Sequence, residues 1–266
     1  MMLNKKADSS GHIAGSSFDT SKLREGLQNF FDLVPVGTDD EPLLTRTIKS
    51  RSKNWPDRIE GLPIGSYRRG VYAFYDYEES PIYVGQTREM VSTRIRRHLT
   101  NQRTDAVAMS VLDPFEVCFV SVWPIPALQH VDGRDPSVIS GLNSLERSVF
   151  EQLRGAGKYP ILLNEKDPPS ADLVDPGTPT YAKILPESLI EVRGHPDVRI
   201  ARRALTISRL SQVISERELR GTGLRRALVV QAMRLQLLAE TRFSSTGGQS
   251  QVIERGANDG EDDKGE

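Results

Sequence analysis

Hydrophobic positions along the chain recur at two different periods. Across residues 21–34 (SKLREGLQNFFDLV), Leu23, Leu27, Phe30, Phe31 and Val34 fall near helical spacing and predict a helix. Residues 70–77 (GVYAFYDY) and 81–85 (PIYVG) are short, β-branched and aromatic, and predict a hairpin joined by Glu78, Glu79 and Ser80. Helical spacing returns over 89–100, where Val91, Ile95 and Leu99 form an i, i+4, i+8 seam. Residues 115–123 read as a third strand. A loop marked by Pro124, Pro126, Gly133 and Pro136 then leads to a helix at about 144–154, with Gly155 and Gly157 as its stop. Five prolines between Lys166 and Pro186 (Pro168, Pro169, Pro176, Pro179 and Pro186) predict a linker. Beyond it, residues 197–215 and 224–243 predict two helices around a turn at 220–223. In the first of these, Ile200, Ala204, Ile207, Leu210 and Ile214 make a stripe that packs on a neighbour.

Composition narrows the class. The 266 residues are 37% hydrophobic and 27% charged, as in a soluble globular protein. No apolar run approaches the roughly 20 residues that span a bilayer, and the polar start MMLNKKADSSGHIAG lacks the apolar stretch of a secretory signal. The expectation is a cytoplasmic protein with no membrane partner. The lone Cys118 forms no intrachain disulfide, and within FEVCFVSVW it reads as a small buried hydrophobe.

The net charge of -1 hides an uneven distribution. From Arg193 to Arg242 there are eleven arginines against Asp197, Glu216, Glu218 and Glu240, whereas residues 251–266 hold six acids against Arg255 and Lys264. The organisation expected is an N-terminal arm with one helix (1–67), a core (68–166), a Pro-rich linker (167–190), a basic helical hairpin (191–243) and a disordered acidic tail (244–266). The basic hairpin has two readings. Its arginines follow a phosphate backbone, or they are solvated faces of helices that dock onto the core or mediate dimerisation.

Within 68–166 the polar residues form a pattern with chemical meaning. Strand alternation puts Tyr72 on one face with Gly70 and Phe74, and a paired neighbour brings Tyr83 alongside. Arg94 and His98, four apart on a helix, project from the same side. Glu146 and Asn164 follow. Hydrolysis of a phosphodiester needs an activated water, a cation at the phosphoryl oxygens and help for the leaving oxygen. This set contains a carboxylate, a guanidinium and three groups that handle protons.

Gly70-Val71-Tyr72 and Tyr83-Val84-Gly85 resemble the paired motifs that name the GIY-YIG nucleases, with Val in place of Ile in both. Arg94-x-x-x-His98, Glu146 and Asn164 continue the resemblance in the family's order, over about residues 68–166. It implies a small α/β core: a three-stranded, mostly antiparallel sheet flanked by helices, here with a helical C-terminal appendage. It also implies a metal-dependent endonuclease acting on DNA, with one Mg²⁺ (or Mn²⁺) held through Glu146. Arg94 would clamp the scissile phosphate and Tyr72 would take the proton from the attacking water. An ordinary tyrosine pKa near 10 leaves about one phenol in a thousand ionised at pH 7, a deficit of ~4 kcal/mol. Positive charge from the metal, Arg94 or protonated His98 would favour phenolate, or neutral His98 would receive the proton. Tyr83 would orient phosphate or water, and Asn164 would fix local backbone or the metal's outer ligands. Arg88, Arg96 and Arg97 would contact the nucleic acid.

Without zinc fingers or a long additional nuclease domain, a stand-alone or restriction/defence-type enzyme is the form implied. One site per chain makes a double-strand cut the work of a homodimer or of two nicks. Other readings of the same residues stand beside these. A catalytically silent nucleic-acid-binding protein would keep the scaffold, and an unrelated α/β protein would match by accident. Residue by residue, the tyrosines would be strand aromatics, Arg94, Arg96 and Arg97 a solvated helix face, Asn143 to Glu146 a capping box, and Asn164 a turn residue. His12, His130 and His195 lie outside the pattern.

Overall fold

The computed structural model describes residues 20–35, 62–100, 112–156, 162–216 and 222–248. At its centre lies the antiparallel hairpin of β1 (Gly70–Tyr75) and β2 (Pro81–Thr87), with Tyr72 opposite Gly85 and Phe74 opposite Tyr83. Every residue of β1 is buried. A strand covered on both faces needs apolar side chains at consecutive positions, which is why GVYAFY lacks alternation. β3 (Phe119–Pro124) pairs with the other side of β1, and β4 (Thr180–Lys183) pairs with β3. The sheet is therefore four-stranded and antiparallel throughout, in the order β2-β1-β3-β4.

Helices cover both faces. On one, Tyr72, Phe74, Val120 and Val122 pack with α1 (Thr20–Phe31) and α2 (Val91–Leu99). On the other, Val71, Ala73, Val84 and Trp123 meet Leu145, Val149, Phe150 and Leu153 of α3 (Pro136–Arg154). Leu23, Leu27, Phe30 and Phe31 form the buried seam of α1, while Val34 lies past its end and is exposed. Gly26 is what lets α1 lie close: a Cβ there would stand 1.9 Å from the Ile184 carbonyl oxygen. On α2, Val91, Ile95 and Leu99 are the buried seam that their spacing predicts. Cys118 is buried among apolar side chains, and burial pushes its thiol up to about 12.

Four sequence expectations are corrected. The sheet has four strands rather than three, because β4 lies inside the stretch read as a linker. This strand is only four residues long, and Pro179 precedes it, a residue tolerated where an edge strand begins. The short helix α4 (Glu187–Arg193) follows at once. The third strand starts at Phe119, since Pro114–Glu116 is a 3-10 turn capped by Asp113. α3 starts eight residues earlier than the apolar pattern predicts, where the Asp135 carboxylate accepts from the Ser137 amide and Pro136 occupies the first turn. Asn143 and Glu146 thus lie mid-helix, and Glu146 is no capping residue.

α5 (Pro196–Glu216) and α6 (Gly223–Ser245) form the C-terminal helical hairpin, held together by Leu210, Leu224 and Ala227. The face that α5 buries differs from the predicted stripe. Arg199, Arg203 and Leu210 are its buried residues, whereas Ala204 is exposed and Ile200, Ile207 and Ile214 are half-buried. The arginines go inside because carboxylates wait there. Glu116 accepts from Arg199 Nε (3.3 Å), Arg203 Nη2 (2.6 Å) and Arg202. In the β1–β2 turn, Asp76 Oδ1 accepts the Glu78 and Ser80 amides, while its Oδ2 faces Arg199 (3.6 Å) and Arg234 (3.8 Å). Arg234 also donates to the Pro81 carbonyl at 2.6 Å. At the rim, Arg226 pairs with Asp167 and Arg242 with Asp197. Six of the eleven arginines behind the local positive excess are thus committed to carboxylates of this chain, and the hairpin docks on the core.

Among the described residues, no helix is long and apolar enough to cross a membrane. The acidic stretch 251–266, most of the N-terminal arm and part of the predicted turn at 220–223 lie outside the described residues.

Candidate active site

β2 is an edge strand of the sheet, between helices that cover its two faces. α2 brings Arg94 and His98 from one side, and α3 brings Glu146 from the other. Tyr72 points from β1 toward α2. Its Oη lies 2.9 Å from His98 Nε2 and accepts from Arg94 Nε at 3.3 Å. Tyr83 completes the cluster, with ring centroids 6.2 Å from Tyr72 and 5.6 Å from His98. Phe74 closes the apolar floor, 5.3 Å from Tyr72 and 6.0 Å from Tyr83.

Gly85 makes this geometry available. Because it pairs with Tyr72 across the hairpin, a Cβ there would stand 2.7 Å from Tyr72 Oη and 2.9 Å from the Tyr83 ring. Replacement Gly85→Ala is expected to lower stability by about 1–3 kcal/mol through overpacking and to break the Tyr72–His98 contact. Thermal denaturation measures the cost, and an unchanged melting temperature would mean that the phenols step aside freely.

The electrostatics follow from burial. Tyr72 is fully buried, and desolvation, with Tyr83 beside it, pushes its phenol well above the ordinary value; Arg94 offsets only part of this. Burial also raises Tyr83, against the pull of Arg94. Glu146 is 9% exposed. Desolvation pushes its carboxyl up, while Gln86 and then Arg94 pull it down.

Gln86 is a member that motif reasoning passed over. Its Nε2 donates to Glu146 Oε2 and to Asn143 Oδ1, both at 2.9 Å. Its position was readable: strand alternation turns it to the face opposite Tyr83 and Gly85, toward α3. Asn164 does a different job from the cluster. Its Oδ1 accepts the Val84 amide and its Nδ2 donates to the Val84 carbonyl, so it acts as a pairing partner for edge strand β2.

The three further arginines are not gathered at the cluster. Arg88 is exposed at the end of β2, and Arg97 donates to Glu89 at 2.6 Å. Arg96 lies over the Phe31 ring at 4.8 Å and donates to Gln28, both on α1. Cationic density at the cluster itself comes from Arg94, whose contact with Glu89 is a long 3.9 Å. His130 is set apart on the loop before α3 and His195 lies between α4 and α5; His12 is outside the described residues.

Comparison with known proteins returns no matching family model, no matching curated protein and no matching solved structure.

Proposed function

We propose that this protein is a metal-dependent endonuclease of GIY-YIG type that hydrolyses DNA phosphodiester bonds at the β2 edge. The observation that carries the reading is the hydrogen-bonded set of Arg94, Tyr72 and His98 beside Tyr83 of β2, with Glu146 held at the same strand by Gln86.

The donor set suits a hard divalent cation. Among the described residues no three His, Cys, Asp or Glu side chains gather as a cage. Mg²⁺ needs none, since it keeps most of its waters and is commonly held through one or two carboxylates. Glu146 is a largely buried carboxylate whose carboxyl burial pushes up, and a nearby cation would favour its charged form. A bound Mg²⁺ would supply charge neutralisation at the phosphoryl oxygens and a polarised water.

The side chains account for the remaining needs. The guanidinium of Arg94 clamps a non-bridging phosphate oxygen and stabilises the charge that grows on it. Tyr72 does not need to be a standing phenolate. Its Oη accepts the proton of the attacking water as its own proton passes to His98 Nε2, 2.9 Å away. This relay avoids the cost of ionising a buried phenol, which exceeds the ordinary ~4 kcal/mol deficit at pH 7. Tyr83 orients the water or phosphate against the floor made with Phe74. Asn164 keeps β2, and hence Tyr83 and Gly85, in register.

The test is incubation of the full chain with supercoiled plasmid, in Mg²⁺ and separately in chelator. Mg²⁺-dependent appearance of nicked circles is the expected result. Retention of DNA with no cutting in any divalent metal would replace the nuclease with a binding protein on the same scaffold.

A further inference from the structure

A groove of about 540 Å³ runs along the N-terminal half of α3, beneath the segment at 170–172. That volume is in the range of small-ligand sites. Pro136 and Ile139 give it an apolar side, and Ser140, Asn143, Ser170 and Asp172 give it hydrogen-bonding groups. Neither Lys nor Arg lines it, and its one charge is the carboxylate of Asp172. A phosphate would be repelled here. A flat, uncharged ring with donors on its edge would not.

The groove begins where the candidate active site ends. Asn143 lies one helical turn before Glu146, and the Gln86 amide donates to both. With Oδ1 taken by Gln86, Asn143 Nδ2 makes no hydrogen bond among the described residues and is left to donate into the groove. A donor at Asn143 and an acceptor at Asp172 match a base edge that offers an amino group beside an acceptor. Ile139, 39% exposed in a polar setting, offers an apolar surface for the ring face.

We infer that this groove is a base-recognition subsite: it takes one nucleobase of the bound DNA and selects a base with an exocyclic amino group over thymine. The inference rests on the reading of the neighbouring site as a DNA site. Occupation would reach that site through Asn143, whose Oδ1 holds the same Gln86 amide that donates to Glu146.

The experiment uses the full chain and short DNA duplexes of randomised sequence, bound in chelator so that retention is read without cutting. Retained DNA is sequenced for wild type, Asp172→Asn and Asn143→Ala; the first substitution is at an exposed position and leaves the fold intact. Thymine depleted about fivefold or more at one position by wild type, and not by the variants, is expected. A wild type that retains no DNA or shows no base preference, or variants that keep it, would overturn the subsite. Cutting of the same pool in Mg²⁺ separates the two readings. Base preference without cutting sinks the nuclease and leaves the groove; cutting without base preference does the reverse.

Discussion

Arg94→Ala is expected to slow plasmid nicking on the order of 10³-fold in single-turnover reactions while leaving the melting temperature nearly unchanged. The side chain is 30% exposed, and its ion pair with Glu89 is long at 3.9 Å, so little folding energy depends on it. Its functional contacts are concentrated. Arg94 Nε donates to Tyr72 Oη at the centre of the cluster. The alanine variant therefore loses the phosphate clamp and one of the two hydrogen bonds that aim the phenol. Arg94→Lys should recover only part of the rate, because an ammonium has a single point of charge and no planar fork. A rate for Arg94→Ala within about threefold of wild type would remove Arg94 from the machinery and with it the proposed mechanism.

The second large effect is expected far from the cluster. Glu116→Ala should cost about 3–5 kcal/mol of unfolding free energy in a denaturant titration, enough to leave a marginal domain largely unfolded. Its carboxylate is 3% exposed and accepts from Arg199, Arg202 and Arg203; removing it takes away the one carboxylate that the buried Arg203 faces among the described residues, and leaves Arg199 to Glu78 and Asp76 and Arg202 to Asp113. The same cluster continues to Asp76 and Arg234 under the β1–β2 turn. Loss of Glu116 should therefore loosen the hairpin that carries Tyr72 and Tyr83. A variant with wild-type stability would show that the arginines reach other acceptors.

Acid provides an independent check. Burial by itself would push the Glu116 carboxyl up, but Arg203, Arg199 and Arg202 outweigh it and hold it below the ordinary value. A depressed folded-state pKa contributes stability that is present above the unfolded value of about 4.3 and is lost as pH falls through the folded one. Asp76 and Asp113 are raised by burial and act with the opposite sign. The contribution of Glu116 is therefore the difference in pH dependence between wild type and Glu116→Gln below about pH 4.3.

Much of the cluster was legible as local pattern. Tyr72 and Tyr83 sit on short aromatic runs, and Arg94 and His98 on one side of a helix next to its apolar seam, so period alone orients each side chain. That Glu146 comes to the same edge was not legible from period. It depends on where α3 crosses β2, and the capping signal nearest Glu146 in the chain pointed to a helix start that lies instead at Asp135–Pro136. The role of Asn164 was hidden for a similar reason. Its partners are the main-chain groups of Val84, eighty residues away, and a backbone group carries no sequence signature.

The eleven arginines between Arg193 and Arg242 mark the boundary most clearly. Composition alone established a basic, helical C-terminal segment, because charge and helical period are properties of neighbouring residues. Whether that charge faces solvent was decided by the tertiary structure: Arg199, Arg203 and Arg234 are buried against carboxylates from β1–β2 and from the turn before β3. The physical reason is desolvation. A guanidinium enters an interior only where a distant part of the chain supplies its counter-charge, and that pairing exists only once the chain has folded.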